Sequence, residues 1–285
     1  MDSRDRIAKN MSMDSTKHPR RARRIKWLAA GALAALLLGG PTAAGAIFVQ
    51  SRERADTYDV RTHRIHMVDH RAGEVWLFRG PNPVVRSETF AYEKLVAAMR
   101  AAAKRQGAEL PPQFYMLDVS FLFLESVDVE VERQFFADNP TKGEFLHYPV
   151  FGLMRPAWLQ YGLNRIARAS DYYGGVRGLE PQGPLEGRAH ALAQLDIEAV
   201  HVLRALLEKT YDRPVVIYAH CEAGCDRAGE VIGAYRMQYQ GLSAQEAFDR
   251  NTQECGREEN GFSTRALQAY CRWLGQADCT LAAAS

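Results

Sequence analysis

The strongest constraint on the fold of this chain is an abrupt change of periodicity around one short loop. The run Val215-Val216-Ile217-Tyr218-Ala219 follows Asp212-Arg213-Pro214 and is apolar and largely β-branched, which predicts a buried strand. Beyond Gly229, the residues Glu230, Val231, Ile232, Ala234, Tyr235 and Met237 recur at helical spacing as far as Gln240. Between the two patterns stands His220-Cys221-Glu222-Ala223-Gly224-Cys225-Asp226-Arg227-Ala228-Gly229. Strand, tight loop and helix therefore follow one another without a linker.

In such a turn the backbone N–H groups from Glu222 through Ala223, Gly224, Cys225 and Asp226 to Arg227 point inward as an anion nest. The positive end of the next helix faces the same spot, so the expected occupant is a phosphate dianion. Cys221 stands at the mouth of the nest, where those partial charges favour thiolate over thiol and make it a candidate nucleophile. Arg227 offers a planar fork that holds two equatorial oxygens of a transferring phosphoryl group. Gly224 and Gly229 suit a loop that needs positive φ and close helix approach.

With these residues in place, the chain resembles the Cys-based protein tyrosine and dual-specificity phosphatases, whose signature is His-Cys-x5-Arg, then Ser or Thr, then Gly. The Asp226-Arg227 pair is similar to the loop of bacterial tyrosine phosphatases with phosphoinositide activity, and to that of the lipid-directed myotubularins. The resemblance runs over residues 74 to 275. Leu77-Phe78-Arg79-Gly80-Pro81-Asn82-Pro83 is similar to the family's early Arg-Ser-x-x-Pro segment, and Phe145 to Val150 to the strand before its acid loop. It implies a Cys-dependent phosphomonoesterase that works through a phosphocysteine intermediate, with neither metal nor organic cofactor. Its partners would be phosphotyrosine proteins or phosphoinositides, not nucleic acid.

Two departures from the pattern bear on chemistry. Ala228 stands where the family carries a hydroxyl that stabilises the departing thiolate, so turnover is expected to be slow. A pseudophosphatase that holds phosphorylated partners is the alternative. The loop Phe151-Gly152-Leu153-Met154-Arg155-Pro156 lacks the usual acidic residue, which leaves Asp226 as the expected general acid and Asp171 as the alternative. Either has to be protonated to act. His220 is read as a support that hydrogen-bonds the loop backbone. Cys225 is close enough to trap Cys221 as a disulfide, although a plain small loop side chain is the favoured reading. A thiol redox pair made of these two lacks the two-residue spacing of redox motifs and has no use for Arg227.

Charge is unevenly spread along the 285 residues. Residues 1–26 carry a net +6 against a formal +2 for the chain, so the remainder is at −4, which excludes a nucleic-acid-binding body. The uncharged segment 27–49 follows Arg20-Arg21-Ala22-Arg23-Arg24-Ile25-Lys26 and is long enough to span a bilayer with its basic flank in the cytosol. Ala44-Gly45-Ala46 also offers a signal-peptide cleavage site. Either way the domain beyond it is exported, as a single-pass anchored or a released protein. Five cysteines fit no simple disulfide framework, and Cys255, Cys271 and Cys279 are candidates to pair in some combination. His63, His66 and His70 with Asp69 read as a strand edge and not as a metal site.

The expected organisation is a basic disordered stretch over 1–26, an apolar segment over 27–49, a linker over 50–73 and a phosphatase domain over 74–280. Strands are expected at Val75 to Phe78, Phe114 to Val119, Phe145 to Val150 and Val215 to Ala219. Helices are expected near 88–106 (Ser87 capping, Gly107 ending), 189–209, after a capping box at Ser243, and over Thr264 to Leu274. This alternation predicts an α/β fold, a mostly parallel sheet flanked by helices, of the phosphatase type. The Gly- and Pro-rich stretch from Phe151 to Gly187 is expected to roof the pocket, and its Arg155, Arg165, Arg168 and Arg177 would suit a phosphoinositide.

Overall fold

The computed structural model describes residues 58–71, 74–85, 88–122, 127–150 and 190–282, all within a unit running from Glu53 to Ser285. The central strand β7 (Val215–Cys221) is buried along its whole length. It pairs in parallel with β2 (Val75–Pro81) on one side and β5 (Tyr115–Ser120) on the other. Beyond β5 lies β6 (Gly143–His147), again parallel, and beyond β2 lies β1 (His66–Arg71), the antiparallel edge. A separate short pair, β3 (Val84–Val85) and β4 (Thr89–Phe90), follows β2.

Period-two alternation sorts each strand between two apolar layers. Val75, Leu77, Leu117, Val119, Val215, Ile217 and Ala219 face a core that also holds Val200, Leu203, Val231, Ile232, Leu267 and Tyr270. That layer is built by α3 (His190–Glu208), α4 (Asp226–Tyr239), α5 (Ala244–Cys255) and α6 (Gly261–Trp273). Trp76, Phe78, Met116, Val216 and Tyr218 face the opposite core with Leu95 and Met99 of α1 (Tyr92–Arg105) and Phe136 of α2 (Val127–Asp138). Both faces of the sheet are covered, as a parallel sheet demands.

The domain boundary expected at Glu74 is too late. A 3-10 helix over Tyr58–Arg64 and strand β1 already belong to the fold, so the expected linker 50–73 contains structure from Tyr58 onward. The His-rich segment is an edge strand, as its partial alternation implied: Ile65 and Met67 are buried while His70 is exposed. The capping box at Ser243 forms in both directions with Glu246, and Gly107 sits at positive φ just past α1. Helix α2 was not anticipated. Ser87, segment 27–49 and the Phe151 to Gly187 stretch lie outside the described residues. Among the described residues no helix is long and apolar enough to cross a membrane.

Candidate active site

At the carboxyl end of β7 the chain turns through Glu222 to Cys225 and enters α4 at Asp226. Gly224 makes that turn at φ +73°, and a Cβ there would lie 2.5 Å from the carbonyl carbon of Gly80 and 2.6 Å from the nitrogen of Pro81. Three consecutive carbonyls are captured from outside the loop. Asn82 N–H donates to Glu222 O (3.2 Å), Arg64 Nη1 to Ala223 O (3.2 Å) and Arg79 Nη2 to Gly224 O (2.7 Å). Because C=O and the following N–H are antiparallel across a trans peptide, the amides of Ala223, Gly224 and Cys225 are turned away from these three donors.

Cys221 is 1 % exposed, is a free thiol, and accepts the N–H of Ala228 at 3.4 Å from the first turn of α4. Arg227 is part-buried and donates from Nη1 to the carbonyl of Phe121 (3.2 Å) at the end of β5. Arg79 itself is fully buried. Besides Gly224 it reaches Asn251 Oδ1 and Glu254 Oε2, and Arg236 Nη2 closes the network on Glu254 Oε1 at 2.6 Å. Burial opposes ionisation of Glu254, but Arg236 and Arg79 bring its carboxyl down to about 2.

Asp226 is placed differently from expectation. Its two carboxylate oxygens receive Nη1 and Nη2 of Arg257 at 3.0 and 2.7 Å, and Oδ1 also accepts the N–H of Asn260 at 2.8 Å. Burial pushes its pKa up, yet the Arg257 fork and the Asn260 amide outweigh that and hold it below the usual carboxylate range. A carboxylate held in this way is a poor proton donor, and its contacts tie the loop to the turn before α6. Asp171 lies outside the described residues. Gly229, one turn into α4, has no room for a Cβ because Glu259 Oε1 presses on it, and its carbonyl accepts from Asn251 Nδ2 at 2.7 Å. Glu259 is buried, and burial raises its carboxyl to about 8 despite Arg79 and the Asn251 hydrogen bond.

Solved structures similar to this chain include phosphatases. One is Tk-PTP in its active form, at 17% identity over 73% of this chain and 97% of that chain, with a TM-score of 0.36. Another is P. aeruginosa TpbA, at 20% identity over 71% and 81% of the two chains, TM-score 0.34. A third is a kinase-associated phosphatase with its catalytic cysteine replaced by serine, at 12% identity over 75% and 97%, TM-score 0.40. No family model matches the sequence, and no curated protein does.

The cysteines pair in a way the sequence left open. Cys225 is bonded to Cys255 at the end of α5, and Cys271 to Cys279. Cys225 is thereby engaged away from Cys221, which corrects the idea that it traps the nucleophile. His220 also departs from expectation. Its ring lies on the α1/α2 side of the sheet, stacked on Tyr218 at 5.4 Å, with Nε2 3.1 Å from Asp118 Oδ1 and 3.8 Å from Glu132 Oε1. It serves this buried carboxylate pair and not the loop backbone. Burial raises the pKa of Asp118, against the pull of His220, and together with the charge of Asp118 it raises Glu132 well above the usual range. Arg257, Glu259, Asp118 and Glu132 were not singled out in the sequence, because nothing local to any of them marks a role, and Arg79 was marked only as part of the segment Leu77 to Pro83.

Proposed function

We propose that this chain is a Cys-dependent phosphomonoester hydrolase. The observation that supports the reading is the capture of the Glu222, Ala223 and Gly224 carbonyls by Asn82, Arg64 and Arg79, which leaves the following amides free to face a phosphate beside Cys221 and Arg227 in this reading. In this reading Cys221 Sγ attacks phosphorus, the bond from phosphorus to the leaving oxygen breaks, and phosphocysteine forms. Water then attacks phosphorus, releasing inorganic phosphate and the thiolate. The amides and Arg227 stabilise the charge that gathers on the equatorial oxygens in each transition state. With Asp226 held by Arg257, the proton for the leaving oxygen falls to Asp171.

The substrate is a phosphotyrosyl protein or a phosphoinositide outside the cytosol. Two disulfides in the described part and the apolar segment 27–49 support export, since disulfides persist in oxidising compartments. Ala228 favours a second reading, a phosphate-binding pseudophosphatase, because a buried alanine offers no hydroxyl to the sulfur. Hydrolysis of p-nitrophenyl phosphate by purified protein separates the two. Vanadate-sensitive turnover that disappears in Cys221→Ser and Arg227→Lys supports the enzyme. Binding of phosphate without turnover, in a folded protein, establishes the pseudophosphatase.

A further inference from the structure

On the α1/α2 face of the sheet, one residue before Cys221, the structure gathers polar atoms that hydrogen bonding does not satisfy. Asp118 and Ser120 on β5 and His220 on β7 fall on the same face by strand alternation, and Glu132 of α2 enters from the helical layer packed there. All four are 0 % exposed. The oxygens of Asp118 and Glu132, the hydroxyl of Ser120 and the ring nitrogens of His220 have only weak contacts within this cluster, Ser120 on Glu132 and His220 on Asp118, neither with the alignment of a good hydrogen bond. The His220 imidazole is aimed between the two carboxylates without the alignment of a hydrogen bond to either. A buried carboxylate is costly unless a positive charge or several donors meet it. Here the carboxylates acting on Glu132 are those of Asp118, Asp128 and Glu222, which add negative charge and do not cancel it.

We infer that Asp118, Glu132 and His220 form a structural site for a divalent first-row transition ion, with zinc the natural occupant. Three features agree. One ligand atom from each residue lies within 4.8 Å of the others. The separations of 3.1 and 3.8 Å from His220 Nε2 bracket the roughly 3.3–3.6 Å between ligand atoms on a tetrahedral ion with bonds of about 2.0–2.2 Å. A dication with two carboxylates and a neutral imidazole is electrically neutral, and one nitrogen with oxygens is a donor set that such ions accept. Ser120 Oγ lines the same space. Full burial makes the site a brace that ties β5, α2 and β7 together behind the loop, and its existence does not depend on the phosphatase reading.

The test uses the full chain, without a polyhistidine tag, produced in zinc-supplemented medium and passed over a weak chelating resin. Elemental analysis is expected to find about one zinc per chain, and stripping it in denaturant with a strong chelator should lower Tm on refolding until zinc is returned. X-ray absorption at the zinc edge should show nitrogen and oxygen ligands and no sulfur. Glu132→Gln is expected to reduce zinc content at least about tenfold. Should that variant fail to fold, the wild-type absorption spectrum decides. The inference is overturned by wild-type protein that carries no zinc and whose Tm ignores it, by a sulfur-ligated zinc, or by a folded Glu132→Gln that keeps full occupancy.

Discussion

Asp226 and Arg257 meet as a two-pronged ion pair, with N–O separations of 3.0 and 2.7 Å, at the point where the loop becomes helix α4. The acidic residue next to the proposed phosphate-binding arginine is thereby committed to holding the loop. Asp226→Asn should keep most activity toward p-nitrophenyl phosphate, losing less than about tenfold in kcat, and should retain the alkaline limb of the pH–rate profile. Asp171→Asn should remove that limb and lower kcat by about a hundredfold or more on a substrate with a poor leaving group. The reverse ranking would restore Asp226 as the proton donor.

Ala228 is completely buried, and its N–H points at Cys221 Sγ. A hydroxyl placed there stabilises the departing thiolate in the second step and leaves the first untouched. Wild-type protein should therefore show a burst of nitrophenolate followed by a slower steady rate. Ala228→Ser should raise the steady rate roughly tenfold, the scale of one good hydrogen bond, and shrink the burst. Rapid-quench kinetics read both phases.

The bond between Cys225 and Cys255 closes a loop with a sequence separation of 30, worth about 3–4 kcal/mol in the loop-closure model. Replacing both by Ala should lower stability by about that amount and loosen the loop, so that KM rises as well. Reductant should act in two directions. It preserves the free Cys221 but unties the loop once the buried bond is reached. Prolonged dithiothreitol should thus lower both Tm and activity, whereas brief exposure should not.

Glu259 supplies a pH dependence whose sign is opposite to that of a salt-bridged carboxylate. Its folded pKa of about 8 lies above the usual value of 4.5, so between these limits the folded state holds a proton that the unfolded state has lost. Stability from this group is complete below about pH 4.5 and declines as pH rises toward 8, with a limiting slope of about 1.4 kcal/mol per pH unit. Glu259→Gln mimics the protonated carboxyl, keeps the Asn251 contact, and should flatten that decline. Its Tm should exceed that of wild type at pH 8 and match it near pH 5. Equal pH dependence of the two proteins would show that Glu259 is ionised when folded.

What could be read in the sequence was what neighbouring residues encode among themselves. Strand β7, the loop and helix α4 are contiguous, and an unbroken apolar, largely β-branched run gives way to helical spacing where the structure makes the turn. The Ser243 cap was legible for the same reason. Helix α2 was not, because Val127-Asp128-Val129-Glu130-Val131-Glu132 alternates with period two and is rich in β-branched residues. Burial of Val129 and packing of Phe136 in the core on that face of the sheet override that local preference. The pairings that decide the site, Arg79 with Gly224, Cys255 with Cys225 and Arg257 with Asp226, join distant stretches of chain, and no local pattern says which residue meets which.

Arg64, Arg79 and Asn82 hold the back of the nest from the 3-10 helix, the end of β2 and the turn after it. None of these grips uses a group that an arriving oxyanion needs. In the proposed reading the bowl is therefore shaped before any ester arrives, and an incoming substrate meets walls that are already held in place. Discrimination between esters is thereby shifted away from the bowl to whatever surrounds its rim.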